Sequence, residues 1–422
     1  MKHWMIATAA LTLASSAVQA GESGDQLAAS LYDGSLSQLA EQGQPGCDAG
    51  EGDACFLLGL DSLISGYETF AQALYRHGAV SPDLSPLALV LGSGIEAGAT
   101  PANPDPEPLT YDQLRDILDD FVTALDAAAV HMQQAGEGTD FVIPIDPLLV
   151  RIDLDGDGER GETETLGVLL AGLGDFALPE VSEKSKSKGV TTPPEFIVGF
   201  DNADAIWFAG YANVTAAPFD LTLAHDFSAF FDAYLHRLFP EAGLPLAEFG
   251  RGSTLMVDPT SDAMIADLVA ALHTANFPVI DQTRLAGVRE RLLAITSLSR
   301  KNWEMILAET DDNRELVPAP SQTSIIPGQS VTQEIVDAWL ATLDQVDLIL
   351  EGELLLPHWR FTKGFDLKAY FDTATKTDIV MLFTGHDALP YLADGPIADA
   401  ESFSELNRVM GDDWPFFALW FN

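Results

Sequence analysis

The sequence predicts a mostly α-helical, multi-helix globular protein with few or no strands. Two observations support this fold class. Apolar residues recur at helical spacing over long stretches, and two of these stretches open with a capping-box pattern, a Ser or Thr followed three residues later by Gln. Short runs of the kind that form strands are rare by comparison. The chain has 422 residues and a hydrophobic fraction of 47%, enough to bury a sizeable core.

The clearest predicted helix opens at Thr110, where Gln113 completes the capping box. Gly136 and Gly138 mark its end. Seven apolar residues of this segment share one helical face and are expected to be buried: Leu114, Ile117, Leu118, Phe121, Leu125, Ala128 and Met132.

Further helices are predicted towards the C-terminus. Periodicity indicates one helix over residues 262–275 and another over residues 281–309. A fourth helix is predicted to open at Ser330, with Gln333 as the partner in its capping box. The apolar run over residues 378–384 fits either a short strand or a buried helical turn.

The first twenty residues have the pattern of a cleavable signal peptide. Lys2 and His3 form a polar start, residues 4–13 are apolar but too few to span a bilayer, and Val18 and Ala20 are small residues at the cleavage site. An ordinary first core helix is the alternative. The pattern predicts cleavage between Ala20 and Gly21 and a periplasmic or secreted protein. No later stretch has about 18 uninterrupted apolar residues, so no membrane span is expected.

The charge of the chain limits its partners. There are 64 acidic residues against 21 Lys and Arg, a formal net charge of −43. Such a surface repels phosphate backbones and anionic headgroups, which disfavours nucleic acid and anionic membranes as partners. A soluble protein with an unidentified protein or small-molecule partner is expected.

Cys47 and Cys55 are the only cysteines. An even count in an exported protein predicts a disulfide, and metal binding by the pair is the alternative. The segment that they bound, with the apolar residues up to Gly59, resembles one unit of the cysteine-rich tetratricopeptide-like repeats. That resemblance implies a local hairpin of two antiparallel helices joined by the disulfide.

Residues 153–164 read DLDGDGERGETE, which resembles the twelve-residue calcium loop of EF-hand proteins. In that loop, acidic residues at positions one, three and five, a backbone carbonyl at position seven and a bidentate Glu at position twelve bind the ion, and Gly at position six allows the turn. The resemblance implies Ca²⁺ as cofactor and five metal-ligating residues: Asp153, Asp155, Asp157, Glu159 and Glu164.

Two features depart from the EF-hand pattern. Arg160 occupies position eight, where a branched apolar residue usually pairs with a second loop. Pro144 and Pro147 are expected to shorten the incoming helix to about residues 146–152. We therefore expect an unpaired loop that holds a structural ion and does not act as a sensor.

The predicted organisation has five parts: a signal peptide (1–20), an N-terminal helical region with the disulfide hairpin (21–96), a Pro-rich linker (97–108), a helix plus the calcium loop (109–180) and a C-terminal helical domain (190–422).

The sequence contains no zinc-protease helix, nucleophile elbow, phosphate loop or dinucleotide fingerprint. The leading hypothesis is therefore an exported calcium-binding protein with a structural or binding role. The rival is a secreted or periplasmic hydrolase with its site in the C-terminal third around His358 and His386. Whether the chain is an enzyme stays open. Convergence of His225, His358 and His386 in one pocket would favour the hydrolase.

Overall fold

The computed structural model describes residues 22–80, 103–154, 156–158, 160–161, 164–167, 196–312, 314–325, 330–399 and 401–411. About 60% of the described residues are helical, which confirms the predicted mostly α fold. The predicted signal peptide lies outside the described residues, as does the first half of the predicted linker. The boundaries of the predicted domains stay a prediction.

Fourteen α-helices lie within the described residues: α1 (Glu22–Asp33), α2 (Leu36–Ala40), α3 (Gln44–Asp48), α4 (Gly52–Arg76), α5 (Tyr111–Glu137), α6 (Asn202–Leu223), α7 (Ser228–Tyr234), α8 (Pro245–Glu248), α9 (Pro259–Thr274), α10 (Gln282–Ala308), α11 (Gln333–Leu350), α12 (Leu367–Thr373), α13 (Ile379–Thr384) and α14 (Ser404–Met410).

Five of these helices form the framework. Helix α5 packs between α4 and α6, helix α6 packs between α5 and α10, and α11 packs on α10. Each neighbouring pair is antiparallel, as the contacts show: Asn302 near the end of α10 bonds to the start of α6, and Arg284 near the start of α10 bonds to Asp220 near the end of α6. Apolar faces packed in this way bury the core, with Trp303 fully enclosed.

Small residues let α4 and α5 approach closely. A Cβ atom added at Gly59 of α4 would lie 2.7 Å from Sδ of Met132 on α5, and one at Gly66 would lie 2.8 Å from Cβ of Ala124. Real Cβ atoms do not approach this closely, so the two glycines set the spacing of this helix pair.

The six described strands are short and pair antiparallel in three two-stranded sheets. Strand β1 (Val142–Ile145) pairs with β2 (Val198–Asp201), β3 (Asn276–Pro278) with β5 (Lys376–Asp378), and β4 (Gly364–Phe365) with β6 (Leu392–Ala393). They connect helices and do not form a separate layer.

The start of α5 was predicted correctly. Thr110 is its N-cap: the Gln113 N–H donates to the Thr110 hydroxyl at 3.3 Å, and the Thr110 N–H donates to Gln113 Oε1 at 2.9 Å. All the residues predicted for its apolar face are buried except Ile117, which is partly buried. Gly138 follows the end of the helix.

Two predictions about helices were less accurate. Helix α11 begins after Thr332 and not after Ser330: the Ile335 N–H donates to the Thr332 hydroxyl, and Gln333 turns to Asp337 instead of closing a capping box. The run 378–384 forms helix α13, capped by Asp378, but none of its residues is fully buried. Local spacing did not distinguish adjacent hydroxyl residues or show which face of a six-residue helix would be covered.

The predicted disulfide is confirmed. Cys47 at the end of α3 is bonded to Cys55 in the first turn of α4, and both side chains are buried. Along the described chain, no helix is both long and apolar enough to cross a membrane.

Candidate metal centre

The segment that resembles an EF-hand loop is closed at its base by a short antiparallel bridge. Arg151 faces Thr165 in this bridge. The Ile152 N–H donates to the carbonyl of Glu164 at 2.9 Å, and the Leu166 N–H donates to the carbonyl of Val150 at 2.9 Å. The two ends of the segment are therefore fixed next to each other.

The incoming element is not the predicted short helix. Strand β1 ends at Ile145, and a single 3₁₀ turn over Pro147–Leu149 follows, capped by Asp146. Pro144 lies in β1 and Pro147 is the first residue of the turn, and the turn stops because Val150 is extended and residues 150–152 pair with residues 164–166. The prediction of a helix over residues 146–152 was wrong.

Asp153, at the first ligand position, organises the first half of the loop. It is buried, and its carboxylate accepts N–H groups from Gly156 at 2.8 Å and Gly158 at 3.2 Å. Both glycines have left-handed φ angles, +76° and +84°, a conformation that glycine adopts without strain. The glycine spacing therefore folds the chain around the Asp153 carboxylate.

Glu164, at the twelfth position, points back into the loop. Its Oε1 accepts the Leu154 N–H at 3.0 Å, and its Oε2 accepts the Gly161 N–H at 2.9 Å. The carboxylates of Asp153 and Glu164 therefore both face the loop backbone. A carboxylate oxygen that accepts one N–H still has a lone pair for a cation.

Helix α4 holds the loop from outside. Glu68 Oε1 accepts the Asp153 N–H at 2.8 Å and the Arg160 Nε–H at 3.0 Å, and Glu68 Oε2 accepts from Arg160 Nη2 at 2.9 Å. One turn on, Gln72 Nε2 donates to the carbonyl of Asp153 at 2.9 Å. Arg160 at position eight thus binds α4 instead of meeting a second loop.

The charge of Arg160 also acts on the loop. Its pKa is raised, chiefly by the hydrogen bonds to Glu68 and further by the nearby carboxylates of Asp153 and Glu164. A fixed guanidinium at this place offsets part of the repulsion between the loop carboxylates, and Glu68 in turn offsets the guanidinium.

The structure describes three of the five predicted ligands. The carboxylates of Asp153 and Glu164 face the loop backbone, and Asp157 is exposed to solvent. Asp155 and Glu159 lie outside the described residues. The described loop carboxylates do not form a group of three whose oxygens lie within 4.8 Å of one another. The described loop carboxylates therefore do not form a closed cage, and calcium binding by this loop stays a prediction.

The one such group in the described part of the chain lies elsewhere: Asp201, Glu309 and Glu315. Asp201 is the N-cap of α6 and accepts the N–H groups of Ala203 and Asp204, and Asp204 accepts the N–H of Asp201 in return. Glu309 follows the last residue of α10 and accepts from Gln322. Antiparallel packing of α6 and α10 brings these ends together.

Burial and mutual repulsion keep this acidic cluster from ionising fully. Desolvation, followed by neighbouring carboxylates, raises the pKa of Asp201 to about 6 and the pKa of Glu309 to about 8. The same causes raise the pKa of Asp204 well above its ordinary value. Near neutral pH the cluster therefore holds protons in place of charge.

Sequence reasoning missed this cluster. The capping pattern Asp201-x-x-Asp204 before an apolar run was a visible signal for the start of α6. No pattern in the nearby sequence connects Asp201 to Glu309 and Glu315. These two residues are over 100 positions away along the chain and approach Asp201 only through helix packing.

His225 and His358 have their ring nitrogens engaged in hydrogen bonds. His225 is buried; its Nδ1 lies 2.6 Å from the carbonyl of Leu221 and its Nε2 lies 2.7 Å from the hydroxyl of Thr377. A carbonyl only accepts, so Nδ1 carries the proton and Nε2 accepts from Thr377. Burial lowers the pKa of His225, which favours this neutral form.

The aromatic segment around His358 caps the end of α13. His358 Nε2 donates to the carbonyl of Leu382 at 3.0 Å, and Trp359 Nε1 donates to the carbonyl of Phe383 at 2.8 Å. Arg360 Nη1 donates to the next carbonyl, that of Thr384, at 2.8 Å. Three consecutive side chains thus donate to the last three carbonyls of the helix, of which that of Leu382 also accepts the Gly385 N–H at 3.2 Å. His386 is exposed and pairs with Asp387.

A small cleft adjoins the loop of residues 153–164, and its lining includes four ionisable residues: Asp61, Glu68, Arg151 and Arg160. A second, open cleft lies against α1 and α2. Neither cleft is lined by a histidine.

No protein-family model, no curated protein and no solved structure matches this chain.

Proposed function

We propose that this chain is an exported protein in which one calcium ion, bound by residues 153–164, fixes the loop against α4, and that it acts through structure or binding rather than catalysis. The observation that carries the proposal is the inward orientation of Asp153 and Glu164, each held by two backbone N–H groups of the same loop.

The ligands would be the five predicted residues, with Glu159 contributing its backbone carbonyl. Calcium would supply positive charge where carboxylates crowd together. The chain's own residues do the positioning. Glycine turns wrap the backbone around Asp153, the bridge between Arg151 and Thr165 closes the base, and Glu68 anchors the loop to α4.

A structural ion fits this geometry better than a sensor. Sensor loops sit between two helices whose relative angle changes on binding. Here a strand and a 3₁₀ turn lead into the loop, and its base is already bridged. Affinity in the range of about 10⁻⁴–10⁻³ M, as in extracellular modules, would suffice for such an ion.

Export is proposed from the signal-like first twenty residues. The buried Cys47–Cys55 disulfide supports it, because such bonds persist in oxidising compartments. Mass spectrometry of the protein from its native compartment should show an N-terminus at Gly21, and an intact Met1 would contradict export.

Nothing in the described geometry favours the hydrolase. His225 and His358 use their ring nitrogens in bonds to neighbouring backbone and hydroxyl groups, and neither cleft described above is lined by His358 or His386. These contacts support a structural role for both residues.

The proposal is tested by titrating the protein with calcium. Calorimetry measures the binding, and the melting temperature measures the change in stability. Stability should rise as RT ln(1 + [Ca²⁺]/Kd), about 1.4 kcal/mol at tenfold excess over Kd, with one ion per chain. Glu164→Gln should weaken binding at least tenfold. Magnesium should substitute poorly because it prefers a tight octahedron of oxygens.

Glu309→Gln is the matched control, since it removes an acidic group of the other cluster. It should leave calcium affinity unchanged. Loss of binding in Glu309→Gln with normal binding in Glu164→Gln would show that the ion binds at the acidic cluster. The absence of any response up to millimolar calcium would refute the proposal.

A further inference from the structure

Helix α9 presents an apolar face to solvent. Ile265, Val269 and Leu272 are 42%, 48% and 63% exposed. Their spacing of four and three residues places them in one stripe along the helix. The opposite face, which includes the buried Asp267 and Ala271, is covered where α9 packs against α7.

The loop before α9 extends this stripe. Leu255, Met256 and Val257 are 82%, 69% and 67% exposed, and their N–H groups donate to the carboxylate of Asp262 at 2.6, 2.8 and 3.0 Å. Asp262 lies two helical turns before Val269 and therefore points to the same side. Together these six apolar residues form what we call the α9 surface: Leu255, Met256, Val257, Ile265, Val269 and Leu272.

The exposure of the loop is imposed by its backbone. Three hydrogen bonds to one carboxylate fix the peptide groups over the first turns of α9, and the neighbouring Asp258 caps the helix by accepting the N–H groups of Thr260 and Ser261. The apolar side chains are thus held outward on an ordered support, which lowers the entropy lost on binding a partner.

The α9 surface carries no exposed acidic side chain, although the chain has a net charge of −43. Asp267 of α9 faces inward and pairs with Arg237 at 2.5 Å and with His236 at 3.1 Å. The one exposed ionisable side chain of this helix, His273, lies one turn after Val269 on the same side. The Asp262 carboxylate is occupied by the loop backbone. Depletion of charge is a property of interface cores.

The size of the surface matches an interface. The six side chains expose roughly 650 Å², above the ~300–600 Å² of the largest apolar patch on a typical monomer. That area approaches the ~800 Å² that each partner buries in a standard interface.

We propose that the α9 surface joins two copies of this chain in a symmetric dimer, with α9 packed antiparallel against α9 of the second copy. A two-fold axis at the level of Ala266 would set Leu272 of one copy against the apolar loop of the other, and Ala266 would leave room for the facing side chains. Repulsion between acidic groups farther away is screened beyond about 8 Å at physiological salt.

The flanking residues favour a second copy over a lipid surface. Membrane-binding helices carry Lys and Arg on their polar side. Between positions 245 and 280 the only such residue is Arg251. The proposal is independent of the calcium site.

Sedimentation equilibrium of the mature chain, with its disulfide intact, tests this inference from micromolar to hundreds of micromolar concentration at physiological and at high salt. A monomer–dimer equilibrium is expected, tighter at high salt. Val269→Glu should raise the dimer dissociation constant at least tenfold. Val130→Glu is the control: Val130 is 54% exposed on α5, so the change is the same on a different helix.

A monomer at every concentration would overturn the proposal, and so would equal effects of the two substitutions. Monomers that bind phosphatidylcholine vesicles through Val269 would assign the surface to lipid instead. If Val269→Glu does not fold, Ala266→Cys provides a second test in an otherwise native chain. Oxidation should yield a covalent dimer across the two-fold axis, and its absence would equally refute the dimer.

Discussion

Arg160 and Glu68 form a two-point contact between the loop of residues 153–164 and helix α4, Nε to Oε1 at 3.0 Å and Nη2 to Oε2 at 2.9 Å. Glu68 also accepts the Asp153 N–H. One largely buried carboxylate thus holds both the first and the eighth residues of the loop.

Removing the Glu68 charge should destabilise the fold. We expect Glu68→Gln to lower the free energy of unfolding by about 2 kcal/mol, because a partly buried guanidinium loses its anion. Urea denaturation measures this loss. Glu290→Gln is the control: the Glu290 partner of Arg289 is largely exposed, so its loss should cost less than about 0.5 kcal/mol. Equal losses in the two variants would contradict the role assigned to Glu68.

Substitutions on the two sides of this contact should change the calcium affinity in opposite directions. Arg160→Met removes a cation near Asp153 and Glu164 and leaves the Glu68 carboxylate, so calcium should bind several-fold more tightly even though the apoprotein is less stable. Glu68→Gln leaves the guanidinium unbalanced and should weaken binding. Calorimetric titration of both variants would refute this account if the two affinities shifted in the same direction.

The acidic cluster should make stability fall as pH rises. The folded-state pKa of Glu309 is about 8 and that of Asp201 about 6, both above their unfolded values. The folded chain therefore binds these protons more tightly, an advantage present in full below about pH 4 and lost as pH rises through 8. Glu309→Gln should flatten this decline and be more stable than the parent at pH 8.5.

Melting temperatures between pH 5 and pH 8.5 measure this difference. Glu334→Gln serves as the control, because Glu334 lies in an exposed pair with Arg408 and should leave the profile unchanged. A Glu309→Gln profile parallel to that of the parent would show that Glu309 titrates normally.

Two glycines in helices or at their ends should respond oppositely to alanine. Gly385 ends α13 with φ of +104°, and a Cβ there would lie 2.8 Å from the ring of Phe361, so Gly385→Ala should cost about 1–3 kcal/mol. Gly287 lies within α10 with open space around it, so Gly287→Ala should stabilise by about 0.5–1 kcal/mol. Thermal denaturation of the two variants decides, and a stabilising Gly385→Ala would be the contrary result.

Local signals in the sequence were read more successfully than those that depend on packing. Thr110 and Gln113 cap α5 as predicted because all the partners lie within four residues. Pro144 and Pro147 were expected to leave a short helix, but only a 3₁₀ turn forms because residues 150–152 pair with residues 164–166, which the local pattern does not reveal.

The site was only partly predictable for the same reason. The loop spacing indicated Asp153 and Glu164 as candidate ligands, but the hydrogen bonds of Asp153 and Arg160 to Glu68 cross 85 and 92 residues and have no local signature. The acidic cluster depends on where two long helices end relative to each other. A one-dimensional pattern does not contain that relationship.

The raised pKa values of Glu309 and Asp204 also mean that folding takes up protons from neutral solution. The formal charge of −43 counts every carboxyl group as ionised, so it overstates the charge of the folded chain. Unfolding at pH 7 releases these protons to the buffer, and the measured heat of unfolding then includes the buffer's own heat of protonation. The apparent unfolding enthalpy becomes a property of the protein and its medium together.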